Sequence, residues 1–452
     1  MKLTFYGGTG EATGANYVLE SGGTKIMVDC GLHQGGHYAE RQNFEPFSYD
    51  PSSITAVFVT HSHLDHIGRL PSLVKAGFAG TIYSTGATKD FAELMLLDSE
   101  HLLMKESERE GKMPLYTNDD IAATRRRWEG VPYHHPVTVG PFRAELYDAG
   151  HILGSAIVKI TVTEDGGEKT IVFSGDLGNS PAPIVKPTEM IDAADYCVVE
   201  STYGDRVHEH VDDRKEELER VIEATVKAGG TLMIPTFAME RTQELLYHLH
   251  QLFEDGRIPR VPVFIDSPLA IKLTAVYKKH ESYFNHETRE IAGAGDDILN
   301  FPGLRLTLTT EQSKEINDVR PPKVVIAGSG MSNGGRILHH EARYLSDPAS
   351  TILFVGYQAR GSLGRLILEG AHEVKIFGET VPVRCRVANI PGYSAHADQP
   401  RLLRWVGNMR QSLKKVFIVQ GDPPSSDALL RKIVDELAVN AEVPTAGESV
   451  EL

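Results

Sequence analysis

Apolar residues fall along the chain in two rhythms. Over roughly the first 85 residues they come in short runs, KLTFY, ANYVLES, TKIMVDC, ITAVFVT and TIYST, rich in β-branched or aromatic side chains and bounded by turn residues. Such runs predict strands. LDHIGRLPSLVKAG lies between the last two and ATKDFAELMLLDSEHLLMKESERE follows them; both are predicted helices, the longer one from apolar residues at helical spacing. Further strands are predicted at FRAELYDA, SAIVKITVTE, KTIVFSGD and DYCVVE. From about 205 to 380 the alternation becomes regular. Helix DDRKEELERVIEATVKAGG precedes strand TLMIPT, and helix ERTQELLYHLHQLFEDG precedes strand VPVFIDS. KVVIAGS, TILFVGY and more helices continue the pattern. That is the signature of a βαβ domain with a parallel sheet. Roughly the last 70 residues return to the first style, with strand KVFIV and helix SSDALLRKIVDEL. The reading is an α/β chain in which a domain spanning 205–380 is inserted into one built from 1–204 and 381–452. No internal repeat or low-complexity segment interrupts it.

Composition narrows the function classes. A chain of 452 residues suggests two or three domains with ample core. Forty-six basic against 61 acidic residues give a net charge of -15, so bulk attraction to nucleic acid or anionic membrane is excluded. Any nucleic-acid site has to be local. Cys30, Cys197 and Cys385 are odd in number and far apart, which fits neither a disulfide framework nor a cysteine zinc knuckle. The opening MKLTFYGGTG lacks a basic segment followed by an apolar stretch, and no apolar run approaches the roughly 20 residues of a membrane helix. The expectation is a reduced, cytoplasmic protein with no membrane partner.

The strongest chemical signal is Thr60-His61-Ser62-His63-Leu64-Asp65-His66, directly after the apolar strand AVFVT. Side chains alternate in an extended segment, so His61 and His63 point the same way and can clamp one ion. Asp65 and His66 begin a helical turn and face a second direction, suited to a second ion. Imidazoles with one carboxylate suit zinc, with manganese or iron as competitors. His151, in DAGHILGSA, follows a strand and can reach across a sheet edge; taken alone it would more often be a structural histidine. Asp176, in IVFSGDLG, ends a strand beside glycines, where one carboxylate can bridge two cations; taken alone it would more often make an Asx turn.

These motifs resemble those of the metallo-β-lactamase fold, and Glu200 in VVESTYGDR and His396 in GYSAHAD resemble further motifs of its β-CASP branch, nucleases of RNA and sometimes DNA. PTFAMERTQELL at 235–246 and GSGMSNGGRILHH at 328–340 strengthen the match, which covers nearly the whole chain. The resemblance implies an αββα metallo-β-lactamase domain with an inserted β-CASP cap over the metal cleft. It implies that His61, His63 and His151 hold one zinc, that Asp65 and His66 hold another, and that Asp176 lies between them. A bridging water would then attack the phosphorus, with Asp65 among the catalytic residues. His396 would protonate the leaving oxygen and Glu200 would orient it. Asp29, in MVDCG, would support the ligands from behind.

One position departs from the family pattern. Where the family ends a late strand with Val-His-Gly-Glu, this chain has Val419-Gln420-Gly421-Asp422. A glutamine amide is a weak zinc ligand, so the Asp65/His66 ion is expected to be held less tightly. RNA contacts are expected from the cap. Ser329, Gly330, Asn333, Gly334 and Arg336 lie in a glycine loop opening a helix, a plain strand-to-helix turn in most proteins but also a phosphate cradle. Arg241 and Arg365 are similar to family residues lining the substrate channel; a surface salt bridge is the commoner role of each. Arg125, Arg126 and Arg127 read as a solvated helix face, and His339 and His340 as packing or surface residues. His33 and His37 receive no role. Gly8 to Gly14 follow a strand, but the next segment is another strand and the glycine spacing is wrong for a dinucleotide loop.

The functional expectation is a zinc-dependent ribonuclease cutting single-stranded RNA between the lactamase domain and its cap, endonucleolytic and with 5′-exonuclease activity as a further mode. Manganese is a candidate alternative metal, and a homodimer is compatible with the sequence. The Ser-Ala-His context of His396, the end of the chain soon after its last lactamase helix and the lack of a KH module before the first strand set the endonuclease expectation apart from ribonuclease J and the archaeal relatives. An RNA-binding subunit with weakened catalysis is the alternative, resting on Gln420. Hydrolysis of a small metabolite fits a capped site less well.

Overall fold

The computed structural model describes residues 1–35, 41–111, 113–164, 167–208, 213–359 and 361–452, so His37 lies outside the described residues. It divides into two compact units, Met1–Val207 with His396–Leu452, and His208–Ala395.

The first unit holds two seven-stranded sheets. One runs Ser449–Glu451, Lys2–Gly7, Asn16–Ser21, Thr24–Val28, Ala56–Phe58, Thr81–Ser84, Trp128–Gly130. The other runs Ala441–Glu442, Lys415–Val419, Tyr196–Glu200, Gly167–Phe173, Ala156–Glu164, Phe142–Asp148, Val137–Val139. Strand side chains alternate faces, so each strand feeds two cores. Phe5, Leu19 and Phe58 of one sheet pack with Phe142, Ile171, Phe173, Val198 and Phe417 of the other. Val172, Cys197 and Val199 point the opposite way, onto Leu402, Trp405, Val406 and Leu429 of helices Gln399–Asn408 and Pro423–Lys432. Met27, Val57 and Ile82 meet Leu70, Leu73, Ala92, Leu96 and Ile121 of the helices on the far side. The unit is therefore a helix–sheet–sheet–helix sandwich, the expected αββα arrangement. Each large apolar side chain so buried contributes about 1.5–3 kcal/mol of transfer free energy.

Parallel pairing gives the site its place. Thr24–Val28, Ala56–Phe58 and Thr81–Ser84 run parallel, as do Gly167–Phe173, Tyr196–Glu200 and Lys415–Val419. Asp29, Thr60 and His61 thus follow strand ends in one sheet, while Asp176, Glu200 and Gln420 stand at or just past strand ends in the other. Loops beyond the carboxyl ends of parallel strands are where α/β folds build their sites.

The second unit has a six-stranded sheet, ordered Leu304–Leu306, Val263–Ile265, Lys323–Ala327, Thr231–Pro235, Thr351–Phe354, Arg386–Asn389, parallel at every pair. Its fully buried strands, such as LysValValIleAla at 323–327, read as continuous apolar runs, as strands covered on both faces do. The last strand lies beyond 380 because Arg386–Asn389 pairs with Thr351–Phe354, which carries the unit boundary to 395/396. No helix among the described residues is long and apolar enough to cross a membrane.

Candidate functional site

The site grows from a buried carboxylate. Asp29 leaves its strand at φ 58, a left-handed conformation that Asp tolerates better than most residues. Its Oδ1 accepts from the Thr60 amide at 2.8 Å and its Oδ2 from the Thr60 hydroxyl at 2.7 Å. The same Oδ2 lies 2.7 Å from His66 Nδ1. Having given its own proton to Asp29, the Thr60 hydroxyl can accept from His61 Nδ1 at 3.1 Å. Both rings are thereby oriented with Nε2 facing away from Asp29 and into the site. Gly31 makes the approach possible, since a Cβ there would meet the Asp65 carbonyl oxygen at 1.5 Å.

Four donors then converge. His61 Nε2 and His63 Nδ1 are 3.0 Å apart, and His63 Nδ1 and His151 Nε2 are 3.3 Å apart. Asp176 Oδ2 is 3.3 Å from His61 Nε2 and 3.5 Å from His151 Nε2. A tetrahedral zinc with bonds of about 2.1 Å holds its ligands about 3.4 Å apart. The donor set therefore fits one divalent cation in both spacing and chemistry. Burial, with His61 beside it, pulls His63 well below the usual histidine range, and burial with His396 does the same to His151. Neutral rings keep the lone pairs that a metal needs. Burial opposes a charge on Asp176, but His66, His61 and His396 outweigh it and hold that carboxyl well below its usual range. Gly178 presses the Asp176 loop onto the His151 loop: its amide donates to the Ala149 carbonyl, and a Cβ would stand 1.9 Å from the Gly150 oxygen.

Asp65 and His66 face another way, from the short helix Leu64–Ile67. His66 Nε2 lies 3.3 Å from Asp176 Oδ1 and 3.7 Å from Asp65 Oδ2. Burial opposes charge on His66, yet Asp176, Asp29 and Asp65 together raise its proton affinity well above the ordinary value. Burial also raises the Asp65 carboxyl, against the pull of His66. Gln420 is buried against them, its Nε2 at 2.7 Å from His66 Nε2 and 3.4 Å from Asp176 Oδ1.

His396 stands beside the four donors, with Nδ1 3.3 Å from Glu200 Oε2 and 3.8 Å from Asp176 Oδ2. Glu200 is fully buried, and its Oε1 accepts from the Leu177 amide at 2.6 Å. Burial disfavours a charge on His396, but Glu200 and Asp176 overcome it and raise its pKa to about 9. Its side chain keeps 25% exposure, so a substrate can reach it. Two supporting residues lie outside the sequence expectations: Thr60, which links Asp29 to both rings, and Ser174, whose Oγ accepts from the Glu200 amide at 3.0 Å. Only their positions immediately before His61 and beside Asp176 hinted at them.

Most of the cap residues expected to meet RNA already have partners in their own unit. Arg336 is bound to Asp266 Oδ1 at 2.8 Å and to the carbonyls of Thr307 and Leu308, because Asp266 is a fully buried carboxylate that needs a cation. Arg241 is buried on Glu244 and over the Tyr393 ring. Both guanidiniums are thus committed within their own unit. Ser329 Oγ accepts from the amides of Asn333 and Gly334 at 3.0 and 3.2 Å, meeting two donors expected for a phosphate. Gly330 is buried against Phe237. Arg365 is partly exposed and pairs with Glu369 at 2.7 Å. His340 is a packing residue, 2.8 Å from Asp266 Oδ2, and His33 pairs with Glu11 at 2.8 Å.

Next to the glycine loop, Glu341 is fully buried and accepts from the Ser332 hydroxyl; burial raises its pKa from 4.5 to about 8. A carboxyl with a raised folded-state pKa binds more protons folded than unfolded across that interval, so stability falls as pH rises from about 4.5 towards 8. Chemical unfolding of the full chain across this range is expected to show that fall, and Glu341→Gln is expected to flatten it. An unchanged slope in the variant would remove Glu341 as its source.

The model of the metallo-beta-lactamase superfamily matches residues 10–196, that of the Beta-Casp domain 242–367, and that of the Zn-dependent metallo-hydrolase RNA specificity domain 380–444. Ribonuclease TTHA0252 of Thermus thermophilus is 37% identical over 422 residues, 93% of each chain. Transcription termination factor FttA of Methanosarcina mazei is 30% identical over 467 residues, 100% of this chain and 72% of that one. A solved structure of a protein of unknown function from Enterococcus faecalis V583 shares the fold, with a TM-score of 0.58 at 14% identity over 100% of this chain and 99% of that one.

Proposed function

Because the chain belongs to the β-CASP branch of the metallo-β-lactamase superfamily, we propose that it is a metal-dependent ribonuclease hydrolysing phosphodiester bonds of single-stranded RNA, endonucleolytically and with a 5′-exonucleolytic mode. The observation that carries this reading is the convergence of His61, His63, His151 and Asp176 beside the His396–Glu200 pair. Zinc is the proposed ion, since three imidazoles and one carboxylate at these spacings suit it; manganese is the competitor. When bound, such an ion supplies positive charge beside the scissile phosphate and eases deprotonation of the attacking water.

The protein's own groups do the rest. Asp176 and the three histidines fix where the phosphate and the water meet. His396 delivers a proton to the leaving oxygen, while Glu200, held by the Leu177 amide, keeps the imidazole protonated and turned toward that atom. Asp65 lies next to His66 and is proposed to take the proton of the attacking water. In the second unit, RNA contacts are proposed at Arg365 and at the exposed side chain of Asn333, not at Arg241 or Arg336. The reading of an RNA-binding subunit without catalysis rests on Gln420 alone and is not favoured, since all four donors and His396 are in place.

The test is a gel of end-labelled single-stranded RNA incubated with the protein plus zinc or manganese, and with a chelator. Internal cuts that require metal are expected; intact RNA in every lane would overturn the reading. Asp29→Asn is expected to lower metal affinity about 10–100-fold by loosening Thr60, whose hydroxyl orients His61. Competition against a metal-sensitive dye measures it.

A further inference from the structure

Gln420 is held at both ends of its backbone. It sits at φ 48 with 2% exposure; its amide donates to the Gly8 carbonyl at 2.7 Å, and its carbonyl accepts from the Ser201 amide at 3.3 Å and the Thr202 hydroxyl at 3.2 Å. Gly8 closes over the side chain, because a Cβ there would lie 3.3 Å from Gln420 Cγ. The amide therefore starts from a set position and reaches His66 Nε2 at 2.7 Å and Asp176 Oδ1 at 3.4 Å. Its nitrogen, with two hydrogens, can donate to a bare His66 Nε2 and to Asp176 Oδ1 together.

That contact is a direct hydrogen bond, not a gap bridged by an ion. Two ligands on one zinc, at about 2.1 Å each in tetrahedral geometry, stand about 3.4 Å apart. The first site shows spacings of 3.0 to 3.5 Å, whereas Gln420 and His66 are at 2.7 Å. Asp65 points the same way. His66 Nε2 lies 3.3 Å from Asp176 Oδ1 and 3.7 Å from Asp65 Oδ2, but among the described residues the groups of three or more metal-capable side chains whose donor atoms all lie within 4.8 Å of one another are His61/His63/His151/Asp176 and Asp176/Glu200/His396, and neither includes Asp65 or His66.

We propose that the Gln420 amide stands in for a second cation, hydrogen-bonding to His66 and to Asp176 Oδ1, so that this chain carries one divalent ion where the resemblance implied two. The inference rests on the metal site of the proposed function and concerns its stoichiometry. With the amide on Oδ1, Asp176 keeps Oδ2 for the three-histidine ion. No ion shares His66 with Asp65.

The test is metal content, independent of activity. The full chain is stripped with chelator, titrated with zinc and separately with manganese, dialysed, and assayed by plasma mass spectrometry, with a thermal melt to establish folding. Wild type is expected to saturate at one ion per chain, and Gln420→His and the isosteric Gln420→Glu at two. Two ions per wild-type chain would overturn the inference while leaving the nuclease reading intact. One ion in wild type and in both folded variants would also overturn it, because Gln420 would not then be what keeps the second ion out. No ion in any of them would overturn the proposed function itself, and this inference with it.

Discussion

His63→Ala is expected to lose the bound metal and to slow RNA cleavage about a thousandfold or more. His63 Nδ1 is the donor that faces both His61 Nε2 and His151 Nε2, so its removal opens the cluster at its centre. The remaining two imidazoles and Asp176 would leave three of the four donors, and an ion there would be held less tightly. If that ion stabilises the developing charge by several kcal/mol, loss of about 4 kcal/mol corresponds to about a thousandfold in rate. Folding is expected to survive, since His63 is half-buried at the site rather than part of an apolar core. Metal content and single-turnover cleavage are measured on the same preparation. Full cleavage by a variant without metal would remove the three-histidine cluster from the mechanism.

His396→Ala should separate chemistry from metal binding. His396 is outside the four-donor group, and its role is proton delivery to the leaving oxygen. Loss of a general acid costs about 10²–10⁴ in rate. Single-turnover cleavage is expected to fall by that amount, while metal content and RNA retention on a filter stay at wild-type levels. Glu200→Gln keeps the shape but weakens the partner that charges the imidazole, so a smaller fall is expected, with the pH optimum moved to lower pH. A fall in metal content for His396→Ala would reassign that histidine to the metal.

Much of this was legible in the sequence, for identifiable reasons. Strands such as Lys415–Val419 and Thr231–Pro235 are buried on both faces and stand out as unbroken apolar runs. His61 to His66 stood out because four ionisable residues directly follow such a strand. The segments that escaped notice are short and half-polar. Trp128–Gly130, Val137–Val139, Ala441–Glu442 and Ser449–Glu451 are edge strands of two or three residues, and all but Val137–Val139, which pairs in a hairpin with Phe142–Asp148, are set by pairing partners far away in sequence. The predicted helix LDHIGRLPSLVKAG breaks into Leu64–Ile67 and Leu70–Lys75, with Gly68 capping the first and Pro71 opening the second.

Side-chain commitments were the least legible part. Arg241 and Arg336 looked like cations for RNA; Glu244, three residues after Arg241 on the same helix, was a partner within sequence reach, but Asp266, which takes up Arg336, is identified only by the fold. Asp266 and Arg336 are 70 residues apart. Gln420 could be recognised as a departure from the family pattern. That its amide lies on His66 follows from the turn at φ 48 and the Gly8 carbonyl, which spacing along the chain does not reveal.

The most direct measurement of the central claim is reconstitution. Metal-free protein is titrated with zinc, and bound metal and cleavage of end-labelled single-stranded RNA are followed in the same samples. The account predicts no cleavage without metal, and a rate that rises in step with the first bound ion. RNA cut equally well by the metal-free protein would contradict it.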